Sequence, residues 1–161
     1  MQIRFADPSD AATIHRFIVE LATYEREPDA VEIDPRALAE QLASEPPPFE
    51  CLLIEIGGVA VGFALFFHNY STWRGTRGLY LEDLYVQPSH RGTGAGRALM
   101  ARLAQLARER GCARLEWAVL DWNTPAIAFY ESLGAAPQPD WTLFRLSGGA
   151  LEALAEDRRR S

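Results

Sequence analysis

Apolar and polar positions along this chain switch repeatedly between a period of about two and a period of about 3.6. Gln2 to Ala6 reads as a short strand. Asp7-Pro8-Ser9-Asp10 offers capping residues, and Ile14, Phe17, Ile18, Leu21 and Ala22 then recur at helical spacing to about Tyr24. Asp34-Pro35, a cap followed by proline at the first helical position, opens a second helix through Leu38 and Leu42, and Pro46-Pro47-Pro48 stops it. Phe49 to Ile56 and Val59 to His68 are partly β-branched apolar runs either side of Gly57-Gly58, which predicts a hairpin. Asn69 to Gly78 reads as a polar loop, and Leu79 to Val86 as a strand that Pro88 ends.

The second half repeats the alternation. Leu99, Leu103, Leu106 and Ala107 predict a third helix that closes at Gly111. Arg114 to Leu120 reads as a strand, Ala126 to Leu133 as a helix ending at Gly134, Trp141 to Leu146 as a last strand, and Ala150 to Asp157 as a short terminal helix. The order β-α-α-β-β-β-α-β-α-β predicts one mixed α/β sheet. A single domain over 1–161 is expected, with 148–161 as a C-terminal tail.

Composition narrows the partners. At 161 residues the chain is long enough to bury a core. Its net charge of −6 argues against nucleic acid and anionic membrane and favours a cationic substrate. Cys51 and Cys112 have no metal-ligand spacing, no metal site is expected, and no apolar run approaches a membrane span or a leader segment. The cytoplasm is the expected location. Arg158-Arg159-Arg160 reads as a solvated tail at a helix end.

The most informative stretch follows the strand at Leu79. Arg91-Gly92-Thr93-Gly94-Ala95-Gly96-Arg97 places three glycines at alternate positions ahead of a helix, between two arginines. Such a helix start is an anion site, because its free N–H groups meet the positive end of the helix dipole. A P-loop needs Gly-Lys-Ser/Thr, and the chain contains no lysine. A dinucleotide fingerprint fits Gly92-x-Gly94 but wants a small residue at Arg97 and a place at the start of the domain. The third reading, Arg-x-x-Gly-x-Gly after a strand bearing an acid, resembles the coenzyme A pyrophosphate loop of the GNAT superfamily of N-acetyltransferases.

Four further segments sharpen that resemblance: Val61-Gly62-Phe63-Ala64, Tyr80-Leu81-Glu82-Asp83-Leu84-Tyr85-Val86, Ala118-Val119-Leu120-Asp121-Trp122-Asn123, and Ala128-Phe129-Tyr130-Glu131-Ser132-Leu133-Gly134-Ala135. Together they resemble the diamine acetyltransferase family of the spermidine/spermine type. Tyr70-Ser71-Thr72-Trp73 and Val119-Leu120-Asp121-Trp122-Asn123 look most like its thialysine N-acetyltransferase branch. The resemblance implies a mostly antiparallel central sheet of six to seven strands with helices on both faces and a splay between the fourth and fifth strands. It also implies direct acetyl transfer from acetyl-CoA to a small primary amine, and a homodimer in which the tail is open to exchange between subunits. The alternatives are acetylation of a protein or peptide amine, and a non-catalytic acyl-CoA sensor.

The same resemblance assigns residues. Leu84, Tyr85 and Val86 would pair with the pantetheine arm in the splay, Arg91 to Arg97 would hold the pyrophosphate, and Asn123 would bond the arm. Glu82 is the candidate base, acting through a water; partial burial in an apolar run would raise its pKa. Its plain alternative is an acid on a solvent-facing strand. Tyr130 is the candidate acid for the departing thiolate, and its alternative is a core aromatic. Tyr24, Glu25, Trp73, Asp83 and Trp141 match the family's amine-side positions, where acids and aromatic faces suit an ammonium. Strand alternation would turn Asp83 to the face opposite Glu82. Ser71 stands where the polyamine-preferring branch often has aspartate, which tilts the expectation towards shorter amines.

Overall fold

A computed structural model describes residues 1–157; the Arg158-Arg159-Arg160 reading lies outside them. The chain forms two compact units, Met1–Asn123 and the part from Thr124 onward.

The first unit contains β1 (Gln2–Phe5), α1 (Ala11–Tyr24), α2 (Pro35–Leu42), β2 (Glu50–Ile56), β3 (Val59–Ser71), β4 (Thr76–Val86), α3 (Ala95–Glu109) and β5 (Leu115–Glu116). The sheet order is β1-β2-β3-β4-β5; the first three pairings are antiparallel and β4–β5 is parallel. Local chemistry explains the element starts. The Asp34 carboxylate accepts from the Ala37 N–H at 2.8 Å, capping α2. Gly57 and Gly58 both take positive φ, which lets a two-residue turn follow the twist of β2 and β3.

Cys51 to Ile54 are all buried, because both faces of the sheet are covered. On one face Cys51, Leu53, Phe63, Leu65 and Tyr85 pack with Ala11, Ile14 and Phe17 of α1 and Leu38 of α2. Phe17 stacks on Phe63 at 5.7 Å between ring centres and lies 6.0 Å from Tyr85. The other face meets α3, whose Leu99, Leu103 and Leu106 are buried. Burial of each such side chain contributes roughly 1.5–3 kcal/mol.

The second unit holds α4 (Thr124–Ser132), which ends at Gly134 with φ of 88°, and α5 (Gly148–Ala155).

Five expectations need correction. Among the described residues the sheet has five strands rather than six or seven. The strand expected over 114–120 shrinks to Leu115–Glu116, and no strand forms over 141–146. Both segments have strand-like sequences, but an extended segment holds only where a neighbour completes its ladder. The polar stretch 69–78 is mostly hairpin, with Asn69, Tyr70 and Ser71 paired to Gly78, Arg77 and Thr76. Its polar side chains find partners: the Asn69 amide donates to Glu116 at 3.1 Å and the Thr76 hydroxyl to the Gly111 carbonyl at 3.0 Å. The terminal helix begins two residues earlier than expected, at Gly148.

Candidate active site

The site is built on the C-terminal half of β4. Leu81 pairs with Phe66 and Asp83 with Leu65, so Glu82 is an extra residue in β4, a bulge. Leu65 and Phe66 face opposite sides of the sheet, so Asp83 and Leu81 do too, and simple alternation fails here. Asp83 lies on the face covered by α1, and the charge of Glu82 reaches it. With Glu82 the unpaired residue of the bulge, strand alternation no longer fixes the faces of the two acids relative to each other. Burial also falls differently: Glu82 is exposed, while Asp83 is half-buried. Desolvation, then the charges of Glu82 and Glu25, push Asp83 up to about 7. Glu25, at the end of α1, is raised by desolvation. Among the described residues none of these three carboxylates has a salt-bridge partner.

The parallel ladder to β5 ends at Tyr80 and Glu116, two residues before Glu82. Beyond it the edge of β4 from Glu82 to Val86 has no strand partner among the described residues. Leu84, Tyr85 and Val86 lie along this unpaired edge, where the family resemblance would put the splay.

After Val86 the chain turns through Pro88–His90 into the glycine loop. Gly92 and Gly94 have φ of 75° and 90°, and a Cβ on either would meet nothing within 4 Å. Backbone conformation, not crowding, therefore requires glycine at both. Gly94 caps α3 without a side-chain bond, so the first N–H groups of the helix, at Ala95, Gly96 and Arg97, lie at its open end. The Thr93 hydroxyl donates to the His90 carbonyl at 2.7 Å and fixes the loop. Arg97 is exposed on the first turn. Arg91 is engaged within the protein: its Nε donates to the Val86 carbonyl at 3.0 Å, and its guanidinium lies 4.9 Å over Tyr24 and 5.7 Å over Tyr85.

Tyr24 joins these parts. Its hydroxyl donates to Oδ1 of buried Asn123 at 3.2 Å, and its ring lies 6.2 Å from that of Trp122. The structure thus gathers Tyr24, Glu25, Glu82, Asp83, Arg91 and Asn123. It does not gather Trp73, which sits in the β3–β4 turn, with six residue steps of β4, roughly 20 Å at ~3.3 Å each, from Thr76 to Glu82. Ser71 is buried, and its hydroxyl accepts from the Arg74 N–H at 3.3 Å within that turn. In the second unit Tyr130 lies on α4 with its ring 5.3 Å from Phe129, and Trp141 is exposed beyond the helix. Burial pushes the Cys51 thiol up, which leaves it a poor nucleophile.

Arg26 escaped the sequence reading, and Trp122 entered it only as part of a family-like segment. Arg26 takes a φ of 66°, the left-handed region, and its guanidinium lies 4.0 Å over Trp122. The available signal was a helix end at Tyr24 with no glycine or asparagine to close it.

An open strand edge beside a helix start rich in free N–H groups is what a pyrophosphate-linked pantetheine arm needs, and uncompensated acids next to it suit an amine. The class defined is an acetyl-CoA-dependent N-acetyltransferase. The chain belongs to the Acetyltransferase (GNAT) family, whose profile matches residues 14–135. It is 40% identical over 166 residues to the thialysine N-epsilon-acetyltransferase of Bos taurus, covering 96% of this chain and 97% of that one. It is 36% identical over 164 residues to a spermidine/spermine N(1)-acetyltransferase-like protein of Homo sapiens, covering 96% of this chain and 24% of that one. Among solved structures, an integron cassette protein from the mobile metagenome of V. cholerae aligns with a TM-score of 0.81 at 28% identity, over 96% of this chain and 97% of its own. The protein is an amine N-acetyltransferase that uses acetyl-CoA as co-substrate.

Proposed function

We propose that this enzyme acetylates the terminal amine of a small molecule, a thialysine- or lysine-like amino acid or a short diamine, by direct attack in a ternary complex. The observation that carries the reading is the trio of Glu25, Glu82 and Asp83, held without salt-bridge partners where the β4–β5 ladder ends. Uncompensated carboxylates repel one another, and an ammonium relieves that repulsion. The family resemblance and the thialysine acetyltransferase relatives point the same way.

Acetyl-CoA fits the glycine loop and the open edge: the pyrophosphate on the N–H groups around Gly92 to Arg97, and the arm along Leu84 to Val86 with Asn123. The co-substrate supplies the activated thioester. Glu25 and Asp83 hold the ammonium and Tyr24 borders them. Glu82, exposed at the bulge, takes the proton through water as the nitrogen attacks. Tyr130 gives a proton to the leaving thiolate; phenol and thiol reference pKa values of ~10 and ~8.5 make that transfer feasible. Holding both substrates together makes a covalent enzyme intermediate unnecessary. Trp73 and Trp141 are the aromatic faces the resemblance assigns to the amine, and the position of Trp73 suits the far end of a long amine better than a short one.

We also propose a homodimer in the cytoplasm. Leu143 and Phe144, in the strand-patterned stretch 141–146 that forms no ladder, are exposed, which supports exchange of the C-terminal part between subunits. A single-chain mass in sedimentation would contradict it. Free-thiol release from acetyl-CoA tests the function, using thialysine, lysine, putrescine, spermidine and a peptide amine. The expected result is preference for the short amines; turnover of the peptide alone would reject the small-amine reading.

A further inference from the structure

The carboxylate trio suits any amine that carries positive charge and does not separate a diamine from an amino acid. What separates them is a carboxylate, and Arg26 is a cation placed to recognise one. It follows Glu25 directly, so an anion binder and a cation binder sit side by side at the end of α1.

Arg26 occupies an unusual position. Its N–H donates to the Thr23 carbonyl at 3.1 Å and the Glu27 N–H to the Ala22 carbonyl at 2.9 Å, the two bonds of a left-handed helix closure. Glycine is the usual residue there, because a Cβ crowds the backbone at φ of 66°. Keeping a long cationic side chain at a position glycine would suit better points to a use for that side chain. Its guanidinium rests 4.0 Å over the Trp122 ring, and Trp122 packs in turn on Tyr24, the residue that also touches Arg91 and Asn123. Stacking fixes the plane of a guanidinium while leaving its N–H fork at the edge. Among the described residues Arg26 has no carboxylate partner, neither the neighbouring Glu25 and Glu27 nor any other. An exposed, oriented, unpaired fork is suited to bidentate capture of a carboxylate.

We propose that Arg26 binds the α-carboxylate of the acceptor, so that the substrate class is an amino acid bearing a side-chain amine rather than a diamine. This rests on the small-amine reading and narrows it. Lysine and cadaverine test it cleanly, since cadaverine is lysine without its carboxylate. In Arg26→Gly the ratio of kcat/KM for lysine to that for cadaverine falls at least about tenfold, the effect of losing a charge-assisted hydrogen bond. The lysine value drops, and the cadaverine value rises because its second ammonium no longer faces a cation. Glycine relaxes the helix closure, so the variant melts no lower than wild type and misfolding does not explain the change. Arg26→Lys keeps the charge without the fork and retains part of the preference. An unchanged ratio, or an equal fall for both substrates, overturns the assignment while the small-amine reading stands. Wild-type turnover of neither substrate, with a peptide amine accepted, overturns both.

Discussion

Asp83 shows how one residue converts a backbone irregularity into chemistry. A carboxyl on a regular strand beside an apolar core would be costly to ionise. Here the bulge at Glu82 turns Asp83 under the end of α1, and its pKa rises from 3.8 to about 7. The linkage sign follows from proton counts. Between those values the folded state holds a proton that the unfolded state has released, so stability falls as pH rises through the window. Asp83→Asn removes that loss: its melting temperature relative to wild type climbs from pH 5 to pH 8, as differential scanning calorimetry would show. A constant difference would mean that Asp83 ionises normally. Wild-type kcat/KM for the amine climbs through about pH 7 as Asp83 becomes able to hold an ammonium, and the Asn variant lacks that limb.

Among elements, those whose local chemistry dictates their shape were legible in the sequence. The Gly57-Gly58 hairpin, the Asp34 cap, the proline that ends β4 and the glycine loop all stand where turn and cap rules place them. Features that depend on a neighbour were not. Asn69 to Ser71 read as loop, yet pairing with β4 keeps them extended, and the strand-like stretches 117–120 and 141–146 form no ladder. The bulge is a mismatch between two strands, so neither strand alone reveals it. Alternation along β4 alone therefore cannot place the residues on either side of it. The loop carries its own prediction. Gly94→Ala forces a side chain onto φ of 90° and costs roughly 1–2 kcal/mol of stability. It also raises the KM for acetyl-CoA more than that for the amine. An equal rise in both would separate the loop from the pyrophosphate.

For the whole molecule, the first unit puts Glu82 and Asp83 on β4 and the glycine loop directly after it, which explains why so much of the candidate site was legible from a single stretch, 79–97. The amine-side set was less legible, because it also draws on the end of α1 and on residues 122–123. Arg26 and Trp122 join it only through the folded backbone. The central claim is that the acids at the bulge act on the amine and not on the co-substrate. Steady-state kinetics of Glu82→Gln with lysine or thialysine and acetyl-CoA tests it most directly. A fall of roughly a hundredfold in kcat/KM for the amine is expected, the usual contribution of a general base, with the KM for acetyl-CoA within about threefold of wild type. Unchanged amine turnover, or a loss confined to acetyl-CoA binding, would contradict it.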